Sequence, residues 1–153
     1  MCSHLTKPGS KALRRGRFSQ SNRAYSLTFV CHQRLQTFNS FPLARVVAGA
    51  LNNAPGQQTL CYVVMPDHVH WLLVLVDNTS LSNVVQVAKS YSAHKINKIL
   101  GCKGKVWQAG FHDHAIRKEE TLINVARYIV ANPVRAGLCD RIGEYPHWDC
   151  VWI

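Results

Sequence analysis

Two histidines, His68 and His70, lie one residue apart at the start of an apolar run that continues to Val76. A short apolar run of this kind predicts a β-strand. Side chains alternate between the two faces of a strand, so residues i and i+2 point the same way. Both imidazoles therefore project from one face of a stiff element. This is one way in which a protein holds two nitrogen ligands for a single divalent metal ion.

The remaining elements predict an α+β fold. Apolar spacing predicts strands at 23–31 and 59–65, helices at 41–51 and 81–100, an ambiguous strand with a loop at 106–116, and a last helix with Glu119 and Glu120 in its first turn. Pro133 predicts a break in that helix at Asn132. The order approximates a ferredoxin-like βαββαβ antiparallel sheet with an additional C-terminal helix that carries Tyr128. One face of such a sheet is covered by helices, and the other is a platform or receives the last helix.

Length and composition predict one folded domain with a basic arm. The chain has 153 residues, close to the commonest domain size. Residues 1–20 are polar and basic and predict a flexible arm, and residues 21–153 then form a single folded domain. The aromatic tail after Gly143 has no clear pattern.

The charge of the chain predicts a polyanionic partner. Its formal net charge is +10, and Asp67 is the first acidic residue. The basic residues that precede it are Lys7, Lys11, Arg14, Arg15, Arg17, Arg23, Arg34 and Arg45. A half-chain without carboxylates suits a surface that lies against phosphates, where each neutralised phosphate releases counterions. Nucleic acid is the expected partner, with a generically basic protein as the alternative.

The cysteines and the apolar segments predict a reduced, cytoplasmic protein. None of the six cysteines forms a Cys-x-x-Cys pair, which argues against structural zinc. The sequence offers no apolar stretch long enough to span a bilayer and no signal-type apolar core after the basic N-terminus. No membrane partner is therefore expected.

A tyrosine and an asparagine later in the chain suggest the chemistry of the histidine pair. Tyr128 and Asn132 are four residues apart, and on a helix such residues share a face. If that face meets His68 and His70, two imidazoles and an amide oxygen surround one point, beside a phenol. Such ligands suit Mn²⁺ and tolerate Mg²⁺. A metal ion that withdraws charge from a phosphodiester would let the phenol attack it.

Four segments together resemble a known family. They are YVVMPDHVHW at 62–71, KSY at 89–91, VWQAGFHDHAIR at 106–117 and YIVANPVRAGL at 128–138. In this order they resemble the HUH single-tyrosine transposases, and most closely the REP-associated tyrosine transposases. The resemblance extends from about residue 25 to residue 138.

The resemblance implies a DNA transposase that depends on Mg²⁺ or Mn²⁺. His68 and His70 would bind the metal, Asn132 would be the third ligand, and Tyr128 would attack single-stranded DNA beside a hairpin. The products would be a 5′-phosphotyrosine and a free 3′-hydroxyl, which a later step rejoins. Some relatives are homodimers and others act as monomers. Two alternatives remain open, a catalytically silent hairpin-DNA-binding regulator and a metal-dependent nuclease that uses water.

Other residues are candidates for DNA binding. They are Arg14, Arg15, Arg17, Lys89, Lys95, Lys98, His114 and Arg135. His112 and His114 form a second His-x-His, for which a packed or hydrogen-bonded pair near Trp107 is favoured over a second metal site. Trp71 and Trp107 could stack on bases, although core packing is the commoner role. Tyr91 is the alternative nucleophile.

Overall fold

A five-stranded antiparallel sheet forms the centre of the molecule. The computed structural model describes residues 19–117 and 121–153. The strands are β1 (Ala24–Val30), β2 (Gln57–Val64), β3 (His68–Leu75), β4 (His112–Ala115) and β5 (Trp148–Cys150), in the order β4-β1-β3-β2-β5. The helices are α1 (Phe41–Asn53), α2 (Leu81–Leu100), α3 (Leu122–Val130) and α4 (Asn132–Arg135), with 3₁₀ turns at His32–Arg34, Thr37–Asn39 and Ile142–Glu144. The first four strands with α1 and α2 form the expected ferredoxin-like βαββαβ unit, so this prediction is confirmed.

The sheet is covered by helices on both faces, but unequally. Strand β1 alternates buried and half-buried residues, and its buried Tyr25, Leu27 and Phe29 pack into a core with α1 and α2. On the other face, Leu72 of β3 packs in a second core with Ile129 of α3. Helix α3 contacts β2, β3 and β5. The last helix is therefore received on the second face, one of the two arrangements expected.

The long helix α2 has the predicted bounds because both of its ends are marked in the sequence. The Ser80 hydroxyl accepts a hydrogen bond from the Asn83 backbone N–H, which satisfies one of the donors left free in the first turn. At the other end Gly101 adopts a left-handed conformation with φ of 65°, which glycine reaches at low cost.

The segment before β4 is mostly loop. Only His112–Ala115 is a strand, paired with β1, while an isolated bridge joins Cys31 to Trp107. Trp107 is buried and its indole N–H donates to the Ser92 hydroxyl at 3.0 Å. Aromatic packing rather than a long strand therefore fixes residues 106–111.

The last helical region is divided in two. Helix α3 begins after Thr121, whose hydroxyl accepts from the Asn124 N–H, and ends at Val130. Helix α4 then starts at Asn132 with Pro133 in its first turn. The break predicted from Pro133 is present and centres on Ala131, one residue earlier than expected. Glu119 and Glu120 lie outside the described residues.

The aromatic tail adds the fifth strand to the sheet. Strand β5 pairs with β2, and the Val64 N–H donates to the His147 carbonyl at 2.8 Å. The Tyr145 hydroxyl donates to the Val64 carbonyl at 2.6 Å. These bonds cover what would otherwise be an open edge of β2.

The described residues bear differently on the predicted basic arm and on the predicted absence of a membrane span. The basic arm at 1–20 lies almost entirely outside them, as do Arg14, Arg15 and Arg17. Across 19–117 and 121–153, none of the helices combines the length and the apolarity needed to cross a membrane.

The second core gives a stability prediction. Ile129→Ala should lower the free energy of unfolding by about 2–5 kcal/mol, because Ile129 is 2% exposed beneath α3 and truncation leaves a cavity. Ile123→Ala makes the same change on the same helix at a side chain that is 41% exposed, and should cost much less. Urea unfolding followed by circular dichroism measures both values. Equal losses for the two variants would contradict the packing of α3 described above.

Candidate active site

The two histidines on β3 bring one nitrogen each to a common point. Antiparallel pairing sets His68 opposite Val30 and His70 opposite Thr28, on the sheet face that also carries α3. The two Nε2 atoms are 3.1 Å apart, and the rings meet nearly edge to face. Two metal–nitrogen bonds of about 2.1 Å would enclose an angle of about 95° at this separation. That angle is close to the right angle of octahedral coordination, which Mg²⁺ prefers.

Each ring is oriented by a hydrogen-bond contact at its Nδ1 atom, on the side away from Nε2. His68 Nδ1 lies 2.6 Å from Asp67 Oδ1, and His70 Nδ1 lies 3.1 Å from Thr28 Oγ1. With the proton on Nδ1 of each ring, both Nε2 lone pairs face one another. The two lone pairs repel one another, and a cation between them would remove this repulsion. Hydrogen-bond partners at the other ring nitrogen orient metal-binding histidines in proteins. The residues present therefore fit a divalent ion.

Asp67 is ionised and held between two partners. Partial burial raises the pKa of its carboxyl, but hydrogen bonds and charge from His68 and Arg34 outweigh this and lower the pKa below its usual value. Arg34 Nη1 lies 3.4 Å from Asp67 Oδ2. The carboxylate can therefore accept a hydrogen bond from the His68 Nδ1–H group at neutral pH.

His70 is held in its neutral form. Burial lowers its pKa to about 4, and the neighbouring His68 and the positive charge of Arg135 act in the same direction. A neutral imidazole is the form that binds a metal ion. The positive charge of Arg135, which belongs to α4, therefore acts on the histidine pair.

Arg135 joins the predicted nucleophile to the predicted third ligand. Its guanidinium carbon lies 3.8 Å from the centroid of the Tyr128 ring. Its Nη2 donates to the Tyr128 carbonyl and to Asn132 Oδ1, each at 2.9 Å. Tyr128 is 64% exposed, so its hydroxyl is open to a large substrate. Arg135 therefore links Tyr128 and Asn132 directly, and its charge also acts on His70.

Asn132 reaches this group by a different route from the one predicted. The sequence argument placed Tyr128 and Asn132 on one helix face with a break at Asn132, whereas the break at Ala131 puts Asn132 at the start of α4. Its side-chain amide N–H donates back to the Ile129 carbonyl at 2.9 Å. Because a carbonyl oxygen has two lone pairs, Oδ1 can accept from Arg135 and still offer the second.

The other candidates divide between the two sides of the sheet. His112 and His114 are exposed on β4, where they pair with Thr28 and Ser26 on the face of the histidine pair. Neither packs in the core that contains Trp107, because the short strand turns both side chains to the other face, and a hydrogen-bonded pair stays a prediction. Lys95 and Lys98 lie on α2, which packs against the opposite face.

Lys89 and the two tryptophans serve the structure. The Lys89 ammonium donates to the carbonyls of Gln108 and Gly110 and so holds the loop before β4. Trp71 is fully buried, and Trp107 is 7% exposed. Core packing, the commoner role, therefore holds for both.

The described residues contain no group of three or more His, Cys, Asp and Glu side chains suited to a metal ion. An ion at His68 and His70 would therefore need oxygen from Asn132, substrate or water. Sequence reasoning missed Thr28, Asp67 and Arg34. Asp67 could have been suspected from its position before the pair, whereas Thr28 is found only once the register of β1 against β3 is known.

The pKa of His70 gives a pH prediction. The unfolded chain has a histidine pKa of about 6.5, so between that value and about 4 the unfolded state binds more protons. The stability that neutral His70 contributes is present above pH ~6.5 and is lost as the pH falls through this window. Imidazole NMR of the metal-free protein should show His70 neutral at pH ~5.5, and His70→Gln should flatten the dependence of stability on pH. A His70 midpoint near pH ~6.5 would contradict the environment described.

Comparisons with known proteins agree on one family. The family model described as IS200-like transposase matches residues 19–132. A Haemophilus influenzae protein named among the REP-associated tyrosine transposases is 26% identical over 100 residues, covering 59% of this chain and 57% of the relative. The REP-associated tyrosine transposase of Escherichia coli is 30% identical over 87 residues, covering 56% and 49%. The chain spans about half the length of these curated relatives.

Two solved structures share the fold. A REP-associated tyrosine transposase bound to a REP hairpin has a TM-score of 0.69 and 21% identity, covering 86% of this chain and 79% of that chain. A Deinococcus radiodurans chain described as a transposase has a TM-score of 0.55 and 22% identity, covering 75% and 94%. At these identities the likeness establishes the architecture only. The family match, which covers most of the chain, shows that this protein belongs to the IS200-like transposases.

Proposed function

We propose that this chain is a metal-dependent DNA transposase of the REP-associated type. In this proposal it nicks and rejoins single-stranded DNA beside a hairpin through a 5′-phosphotyrosine on Tyr128. One observation carries the proposal, the convergence of His68 Nε2 and His70 Nε2 at 3.1 Å with both Nδ1 atoms already engaged. A pair with only a core or surface role has no need of this arrangement.

Tyr128 supplies the nucleophile. Its oxygen attacks the phosphorus of a backbone phosphodiester, and the bond from phosphorus to the 3′-oxygen breaks. The phenol proton passes to the departing 3′-oxygen, so the products are a phosphotyrosine ester and a free 3′-hydroxyl. The ester conserves the energy of the broken bond, so a 3′-hydroxyl can reverse the step without ATP.

The neighbouring residues orient Tyr128 and the phosphate. A divalent ion held by His68, His70 and Asn132 would supply positive charge to the phosphate oxygens. Arg135 stacks on the Tyr128 ring and limits its motion at an exposed position. His114, exposed on the same sheet face, is placed to contact the phosphate or an adjacent one.

We propose that one subunit supplies every part of the site. Arg135 contacts Tyr128 and Asn132, and its charge lowers the pKa of His70 in the same chain. We therefore propose that Tyr128 attacks DNA bound at its own histidines. A homodimer is compatible with this arrangement but is not required by it.

Single-stranded DNA with a hairpin is the proposed partner. The chain carries a formal net charge of +10, which suits a polyanion. The solved relative with the same fold is bound to a REP hairpin. Among the candidate DNA contacts, His114 lies on the face of the histidine pair, whereas Lys95 and Lys98 belong to α2, which packs against the opposite face.

Removal of one oxygen tests the nucleophile. Tyr128→Phe should abolish the covalent adduct between protein and DNA, because the phenol oxygen forms the bond, and folding should persist at this exposed position. The assay incubates purified protein with Mn²⁺ and single-stranded DNA from the flanks of its own gene, and then looks for a shifted band on a denaturing gel. Tyr91→Phe is the matched control, since Tyr91 is also exposed but lies on α2.

The same assay separates the other classes of activity. Cleavage by the wild-type protein without an adduct would indicate a nuclease that uses water. Binding without cleavage would indicate a silent hairpin-binding regulator. An adduct that survives in Tyr128→Phe would place the nucleophile elsewhere.

Loss of the hydroxyl behind His70 tests the metal site. Thr28→Val keeps the shape of the side chain but removes the partner of His70 Nδ1, and should weaken Mn²⁺ binding about 10- to 100-fold. Calorimetric titration with Mn²⁺ measures the affinity. His68→Ala should remove binding altogether, and Ser26→Ala, on the same strand face, should leave it unchanged. Equal Mn²⁺ affinity in Thr28→Val and the wild-type protein would contradict the role given to Thr28.

A further inference from the structure

Two buried cysteines face each other where the tail of the chain joins the sheet. Cys61 of β2 and Cys150 of β5 are direct partners in the antiparallel ladder, and both are free thiols. Their side chains lie in the second core, to which α3 also contributes. Cys61 is fully buried and Cys150 is 4% exposed. Neither residue belongs to the metal site or to the nucleophile proposed above.

The neighbouring hydrogen bonds identify the type of this pair. The Val151 N–H donates to the Leu60 carbonyl at 2.9 Å, so the adjacent pair is hydrogen-bonded. Because such pairs alternate along an antiparallel ladder, Cys61 and Cys150 form a non-hydrogen-bonded pair. In agreement, the Cys150 N–H donates to Asp149 Oδ1 rather than to β2.

A pair of this type has the spacing of a disulfide bond. Opposite residues in non-hydrogen-bonded pairs have Cα atoms about 4.5 Å apart, and their side chains are close together. Disulfide bonds join residues whose Cα atoms are about 4.4–6.8 Å apart. The backbone of β2 and β5 therefore places the two thiols within reach of a covalent bond.

The two thiols differ in reactivity. Burial raises the pKa of the Cys61 thiol, and the neighbouring Cys150 thiol acts in the same direction. The Cys61 thiol also donates to the Ala126 carbonyl of α3 at 3.8 Å. A thiol that is buried and protonated is inert toward oxidants. Oxidation of this pair therefore has to begin at Cys150.

An open cavity gives access to Cys150. It has a volume of about 190 Å³ and lies between α3 and the tail. Its lining residues are Ile123, Ala126, Arg127, Cys150, Trp152 and Ile153. A water molecule takes up roughly 30 Å³ in the liquid, so the cavity has room for a small peroxide. Such an oxidant meets the Cys150 sulfur first, and Cys61 can react only afterwards.

We propose that Cys61 and Cys150 are a thiol oxidation site, at which hydrogen peroxide forms a reversible disulfide bond between β2 and β5. The Cys150 thiol loses its proton, and the thiolate attacks one oxygen of the peroxide and breaks the O–O bond. A sulfenic acid forms on Cys150, and the departing hydroxide takes up the proton to become water. The Cys61 sulfur then attacks the Cys150 sulfur, and its own proton leaves with the hydroxyl group as a second water. Two thiols are thereby oxidised to one disulfide while one peroxide is reduced to two waters.

The bond fastens the tail to the sheet beneath the helix that carries Tyr128. Helix α3 contacts both β2 and β5, so a link between these strands stabilises the surface on which it packs. A crosslink between residues far apart in the chain also restricts the unfolded state. The oxidised protein should therefore unfold at a higher urea concentration than the reduced protein.

Peptide mapping of the native, full-length protein tests this inference. Purified wild-type protein is treated with hydrogen peroxide at neutral pH, quenched with an alkylating reagent, digested without reductant and analysed by mass spectrometry. A linked peptide containing Cys61 and Cys150 should be the predominant disulfide product, and dithiothreitol should reverse it. Cys150→Ser should lack this link, whereas Cys102→Ser, which removes an exposed thiol, is the matched control and should keep it.

Urea unfolding of the same samples provides the second readout. Peroxide should shift the midpoint upward for the wild type and for Cys102→Ser, but not for Cys150→Ser. Cys61 and Cys150 that remain free after a treatment that oxidises the exposed Cys102 overturn the assignment. Disulfides that join either residue to another cysteine, or a link that forms only in urea-unfolded protein, overturn it too. The wild-type map alone decides these outcomes, and it needs neither DNA nor a metal ion, so it is independent of the proposed function.

Discussion

The antiparallel register of β1 against β3 is the constraint on which the site depends. It places Thr28 opposite His70 and Val30 opposite His68, so a hydroxyl from one strand reaches an imidazole on the next. Because side chains alternate with a period of two, a slip of one residue would turn both histidines into the core under α1 and α2. The buried Leu27 and Phe29 prevent that slip, since they would be exposed by it. The hydrophobic core thus fixes the geometry of a polar site.

The second constraint is the placement of α3 and α4 over only part of the same sheet face. Ile129 anchors α3 over β2 and β3, which leaves the face of β1 and β4 open beside the histidines. The break at Ala131 then starts α4 at Asn132, and Arg135 of α4 contacts Tyr128 and Asn132. The break predicted from Pro133 therefore has a consequence for the site. A helix continued past Val130 would carry the later residues away in a different direction.

Much of the fold could be read from the sequence because its signals are local. Helix α2 has a serine cap and a terminal glycine, and His68 and His70 lie on a strong apolar strand. The tail could not be placed, because a three-residue strand carries no usable period and β5 is stabilised by distant bonds to β2. The same reasoning explains why Thr28 was missed. Its role comes from a partner 42 residues away, and no spacing along the chain reveals it.

The contacts of Asn132 suit the ligand role proposed for it. Its amide nitrogen is bound to the Ile129 carbonyl and its oxygen to Arg135, so the side chain is fixed before any substrate arrives. One lone pair on that oxygen is left, together with the two Nε2 atoms of the histidine pair. In the proposed function, His68, His70 and Asn132 would hold a divalent ion and leave room for oxygen atoms of a phosphate or water. Tyr128 is exposed and is linked to Asn132 through Arg135, so the proposed nucleophile is open to the DNA that would supply those atoms.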